Sequence, residues 1–76
     1  NKKEPEFLSV VRNNSYWLLK NHDSKEQEIS LLDIQGRIIQ SFNVSSGETK
    51  RLLLPSHSGI YFIQAKESSG VWRLWH

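Results

Sequence analysis

Short runs of aliphatic, aromatic and β-branched residues alternate with clusters of turn formers along almost the whole chain. No window of a dozen residues repeats its apolar positions every 3.6 residues, so amphipathic helices are not predicted. Seven strands are predicted instead. Phe7–Val11 is closed by Asn13-Asn14-Ser15, and Tyr16–Lys20 by Asn21-His22-Asp23-Ser24. Gln27–Ile34 and Arg37–Val44 flank Gln35-Gly36, read as a tight two-residue connection in which glycine takes positive φ. Thr49–Leu54 follows the turn Ser45-Ser46-Gly47-Glu48. The loop Pro55–Gly59 leads to Ile60–Lys66, Glu67–Gly70 turns the chain, and Val71–Trp75 is the last strand.

Seven short strands spaced by turns suit a small antiparallel β-sandwich, with one inner face per sheet. Ile60–Ile63 is apolar on both sides, which predicts a central strand. Alternation puts Tyr61, Ile63 and Ala65 in the core and Ile60 and Phe62 on the other face, with Gln64 and Lys66. Ile29 and Leu31 face one way, with Leu32 and Ile34 opposite. Ile38, Phe42 and Val44 are expected on one face of their strand.

Length adds a bound. Seventy-six residues make one small domain, with about 4–10 kcal/mol of net stability and no room for an enclosed substrate cavity beside a core. There is no cysteine, hence no disulfide framework and no thiolate metal site. There is no methionine, which reads as a fragment or a processed product. Residues 1–6 read as a linker or tag remnant ahead of a domain over 7–76. No apolar run is long enough to span a membrane. The net charge of +2 is too small to argue for nucleic acid.

Candidate chemistry is sparse. His22-Asp23-Ser24 are consecutive, and neighbours in a turn do not form a relay. Ser56-His57-Ser58 lacks a glycine-flanked nucleophile elbow. His22, His57 and His76 have no partner at metal-ligand spacing, so no metal and no cofactor is implied. Glu26 and Glu28 share a strand face and read as solubilising charge. Gly59-Ile60-Tyr61-Phe62-Ile63 superficially echoes the aromatic strand of an RNA-recognition module, but the helices that such a sheet needs are not predicted. Trp17, Trp72 and Trp75 either fill the sandwich or stack on sugar rings. Opposite parity allows at most one of Trp72 and Trp75 to face the core. An enzyme is the least favoured class.

Two segments carry a resemblance. Leu32-Asp33-Ile34-Gln35-Gly36-Arg37 ends an apolar strand in Asp-hydrophobic-x-Gly-basic. Ser58-Gly59-Ile60-Tyr61-Phe62-Ile63 reads Ser-Gly-hydrophobic-Tyr-hydrophobic-hydrophobic, and Arg73-Leu74-Trp75-His76 stands where a short basic terminal strand belongs. In order and spacing the chain resembles the type A C-terminal sorting domain of the Bacteroidetes type IX secretion system. Val10–Ser15 stands where that family has Tyr-Pro-Asn-Pro, and Trp75-His76 where it has lysines.

The resemblance implies a seven-stranded immunoglobulin-like sandwich and a non-enzymatic address. Cargo carrying it would pass through the periplasm and the outer membrane to the cell surface or the medium. The implied partners are the outer-membrane secretion machinery and its sortase, which in the family often removes the domain and attaches anionic lipopolysaccharide. The recognition residues implied are Gly59, Ile60, Tyr61, Phe62, Ile63, Gly70, Arg73, Leu74, Trp75 and His76. The alternative is a retained binding module of the attachment machinery, contacting lipopolysaccharide through Trp17, Lys66, Arg73 and Trp75, or a partner protein. A homodimer is left open.

Overall fold

A computed structural model describes residues 7–67 and 70–76. The expected linker, residues 1–6, and Ser68-Ser69 of the last turn lie outside the described residues. Seven strands run in chain order: β1 Leu8–Arg12, β2 Tyr16–Asn21, β3 Gln27–Leu32, β4 Ile38–Val44, β5 Thr49–Leu53, β6 Ile60–Ala65 and β7 Val71–Trp75. All neighbouring strands are antiparallel. They form a three-stranded sheet in the order β1-β2-β5 and a four-stranded sheet in the order β4-β3-β6-β7. No helix occurs among the described residues.

The inner faces of both sheets meet in one apolar cluster. Leu8, Trp17, Leu19 and Leu52 come from the smaller sheet; Ile29, Leu31, Val44, Tyr61, Ile63, Ala65 and Leu74 come from the larger. This is the two-layer solution that alternating strands require, because each sheet has one apolar face to hide. The expected inward set of β6 is found buried, as are Ile29 and Leu31. β6 is central, lying between β3 and β7.

β4 departs from simple alternation. Leu31 pairs with Gln40 but Leu32 pairs with Ile38, so Ile39 is an extra residue in the ladder. Such a bulge resets which side chains point inward. Phe42 and Val44 stay on the core side, opposite Ile29 and Gln27, whereas Ile38 lies opposite the outward Leu32 and is 65% exposed. The expectation that Ile38 shares the face of Phe42 and Val44 is therefore corrected by one inserted residue.

The β3–β4 connection also differs from the two-residue reading. Asp33 N–H donates to the Arg37 carbonyl, and Gly36 N–H donates to the Asp33 carbonyl, both at 3.0 Å. Ile34, Gln35 and Gly36 thus form a three-residue loop whose last residue, Gly36, has φ of +86°, a standard three-residue hairpin solution.

Asn21, expected in the turn after β2, is a fully buried strand end. Its side-chain amide donates to the carbonyls of Lys25 and Val44, both at 2.9 Å. Its Oδ1 accepts from Asp23 N–H at 2.8 Å. Its backbone accepts from Gly47 N–H and donates to Glu48 O. One residue thereby joins β2 in one sheet to β4 in the other with its side chain, and its side chain and backbone together close two turns. Asn21→Ala leaves the buried Val44 carbonyl, the Lys25 carbonyl and the Asp23 N–H without their partner, and is expected to cost about 1–3 kcal/mol. Urea denaturation of the two proteins measures this; a loss below about 0.5 kcal/mol would contradict the role.

Candidate recognition site

The last strand is held along its length. β7 pairs with β6 from Gln64 opposite Val71 to Ile60 opposite Trp75. The ladder continues one step further, because Gly59 and His76 exchange both backbone bonds, at 2.9 and 3.2 Å. Gly59 has φ of +144°, backbone that residues with a Cβ rarely adopt. Beyond the ladder, His76 Nε2 lies 2.8 Å from the Pro55 carbonyl, and its ring meets Trp17 edge-on at 6.5 Å. Trp17 Nε1–H donates to the Trp75 carbonyl at 3.3 Å.

This pairing fixes which backbone groups β7 shows to a partner. Residue pairs in an antiparallel ladder alternate between hydrogen-bonded and non-hydrogen-bonded. Gly59–His76 is a hydrogen-bonded pair, so Leu74 and Trp72 also point their backbone groups at β6. Val71, Arg73 and Trp75 point theirs off the free edge. The Trp75 carbonyl confirms the phase, since it reaches across to Trp17 in the other sheet. Val71 and Arg73 remain as the outward hydrogen-bonding pair of the edge.

The side chains divide in the same way. Arg73 and Trp75 lie on the outer face of the sheet, with the guanidinium 5.6 Å from the indole ring; Trp75 is 60% exposed. Ile60 and Phe62, on the same face, are half-buried. Trp72 packs partly against the core. Leu74, Tyr61 and Ile63 are core residues, so these three shape the site from beneath and have no surface to offer a receptor. Gly70 is buried just ahead of β7.

Two residues expected at a glycan site are not there. Trp17 is 1% exposed, sandwiched between the sheets with Tyr61 edge-on at 6.0 Å, and presents no ring face for stacking. Lys66 lies six residues along β6 from the partner of Trp75, about 20 Å away, and its ammonium is 3.7 Å from Glu28. Only Arg73 and Trp75 of that set come together.

The two signature segments also meet. The Asp33–Arg37 turn and the Pro55–Tyr61 segment line opposite sides of a groove of about 580 Å3. Asp33 holds its turn: Oδ1 accepts the N–H groups of Gln35 and Arg37, both at 2.9 Å, and Oδ2 accepts Arg37 Nε–H at 2.8 Å. The backbone bond from Arg37 is the main cause of a carboxyl pKa below the ordinary value; burial opposes it, and the guanidinium and the Gln35 bond add to it. On the other side, the Tyr61 hydroxyl donates to the His57 carbonyl at 2.6 Å, four residues upstream. That partner is a backbone atom in a loop, and no side-chain motif announces it.

The histidine-aspartate-serine turn does not assemble. Asp23 Oδ2 accepts from Gln27 and Oδ1 from the Ser24 N–H. His22 Nε2 instead lies 2.8 Å from Ser9 Oγ on β1, a contact that follows from the β1–β2 register and from nothing local.

Comparison with known families then decides the class. The model of the "Secretion system C-terminal sorting domain" family matches residues 12–73. The chain belongs to this family. The match starts at the last residue of β1 and ends within β7. No curated protein and no solved structure shows a significant match. In function it is a type IX secretion sorting signal.

The Asp33 geometry gives a pH prediction. Its folded pKa is lowered, so its contribution to stability is complete above the ordinary carboxylate pKa of about 3.9 and is lost as pH falls through the lower folded value. Asp33→Asn is expected to be less stable than the parent at pH 7, with the difference shrinking below about pH 4. Thermal melts across that range measure it; a difference that stays constant with pH would contradict the carboxylate's role.

Proposed function

We propose that residues 7–76 act as a folded, non-enzymatic address that takes its cargo through the periplasm and across the outer membrane. The address is read at the free edge of β7. The observation that carries this reading is the phase of the β6–β7 ladder, which leaves the Val71 and Arg73 backbone groups outward. A receptor strand adding to that edge gains main-chain bonds from these two residues and specificity from Arg73 and Trp75. The strand partition, three against four, and the Tyr61 hydroxyl bond support an immunoglobulin-like sandwich, in which a tyrosine near the start of the sixth strand bonds back to the preceding loop. The partners in this reading are the outer-membrane machinery and the sortase.

A proline test separates recognition from folding. Proline at an outward-facing edge position removes no ladder bond, whereas at an inward-facing one it does. Arg73→Pro is expected to keep a near-parental melting temperature and to leave cargo in the periplasm, as removal of Val71–His76 would. Leu74→Pro is expected to unfold the domain. Fractionation of cells expressing a tagged cargo measures export; full export of the folded Arg73→Pro protein would overturn the edge reading.

The Arg73–Trp75 pair supports a second reading, a retained module that binds lipopolysaccharide. An indole face beside a guanidinium suits a sugar ring next to a phosphate. Titration with purified anionic lipopolysaccharide is then expected to change the tryptophan fluorescence of the parent and not that of Trp75→Ala. An unchanged spectrum for the parent, or an equal response from the variant, would remove this reading.

A further inference from the structure

Four strands lie at sheet edges: β1 and β5 in one sheet, β4 and β7 in the other. Exposed edges invite pairing with other chains, and charged residues placed on them are the usual safeguard. β1 carries Arg12, β5 carries Lys50 and Arg51, and β7 carries Arg73. β4 reads Ile-Ile-Gln-Ser-Phe-Asn-Val. It is the longest strand of the seven, and it contains no charge, no proline and no glycine. Its bulge at Ile39 disturbs one end and leaves Gln40–Val44 regular. No strand among the described residues covers its outer edge.

We propose that this edge pairs with the same edge of a second copy. Three observations favour a copy of this chain over another partner. The other edges each hold a basic residue, which a two-fold pairing would set against its own image; β4 has none to repel. The phase of the ladder is suitable. Lys66 N–H donates to the Glu28 carbonyl, so Glu28 and Ser30 point at β6, and Gln27, Ile29 and Leu31 point at β4. Their partners Val44, Phe42 and Gln40 are thereby occupied. Ser41 and Asn43 turn their backbone groups outward. A two-fold centred on Phe42 sets Ser41 against Asn43 of the copy and Asn43 against Ser41, which makes four main-chain bonds and uses every outward group of that stretch.

The third observation is the centre itself. Phe42 faces the core side but is only half-buried, with Lys50 Nζ at 5.7 Å from its ring. In the two-fold pairing it forms the close, non-hydrogen-bonded pair with its own image, the geometry in which cross-strand aromatics touch. The two four-stranded sheets become one sheet of eight. An edge pairing of five residues a side is smaller than a standard interface, so the dissociation constant lies in the micromolar to millimolar range, about 10⁻⁶–10⁻³ M.

Sedimentation equilibrium of the chain, from about 10 μM to about 1 mM, tests this. The parent is expected to show a monomer–dimer equilibrium. Asn43→Pro blocks an outward N–H without touching the β3 ladder and is expected to weaken association at least tenfold. Ser41→Lys, which adds a charge to each side of the same interface, does the same if proline disturbs the fold. A parent that stays monomeric throughout overturns the proposal. So does a dimer whose strength is unchanged in a folded Asn43→Pro or Ser41→Lys protein, since that dimer uses another surface.

Discussion

The indole of Trp17 fastens the two sheets together at the point where the last strand ends. Its ring is buried against Tyr61 and His76, and its one polar atom must find an acceptor inside a small core. The acceptor is the Trp75 carbonyl, an atom that the antiparallel phase of β7 directs away from β6. A carbonyl at the edge of one sheet thus satisfies a donor from the middle strand of the other. This fixes β7 in register, closes its end, and confines the open part of that edge to Val71 and Arg73. In the proposed edge reading, this contact therefore bears on both stability and recognition.

A second layer of polar side chains closes the turns. Asp33 ties its loop around Gly36, Asn21 gathers two turns including the one at Gly47, and Tyr61 anchors the loop that enters at Gly59. The three glycines at positive φ supply backbone that other residues resist, and a neighbouring polar group consolidates each turn. Asp33, Gly36, Arg37, Gly59 and Tyr61, residues of the segments that carry the resemblance, all take part in these turns. They shape the turns, and the groups proposed for recognition on β7 are a different set.

Much of this was legible because strands alternate with period two. Once Ile60–Ile63 is recognised as apolar on both faces, its central position and the inward set Tyr61, Ile63 and Ala65 follow. What was not legible depended on register between distant segments. Trp17 and Trp75 are chemically identical, and only the pairing of β2 and β7 makes one a core residue and the other a surface one. Lys66 reads as a companion of Arg73 until the ladder sets it at the opposite end of β6. The bulge at Ile39 has no glycine to mark it, so the parity of Ile38 was misassigned. Asn21 followed by Asp23 does carry the pattern of a side chain capping its own turn, but its burial came from Val44 in the other sheet.

The distribution of charge over the edges links the fold to its use. In the proposed edge reading, the signal accepts a foreign strand at β7 without joining its own kind at the same place. Arg73, one of the two residues of the open stretch of β7, would meet both demands, because two copies would oppose like charges whereas an acidic or neutral receptor strand would not. The basic residues on β1 and β5 act in the same direction on the other sheet. β4 lies at the opposite border of the same sheet as β7, with two strands between them, and lacks this safeguard. The proposed β4 pairing would lengthen the sheet without covering Val71 or Arg73, so the two proposed contacts use separate borders.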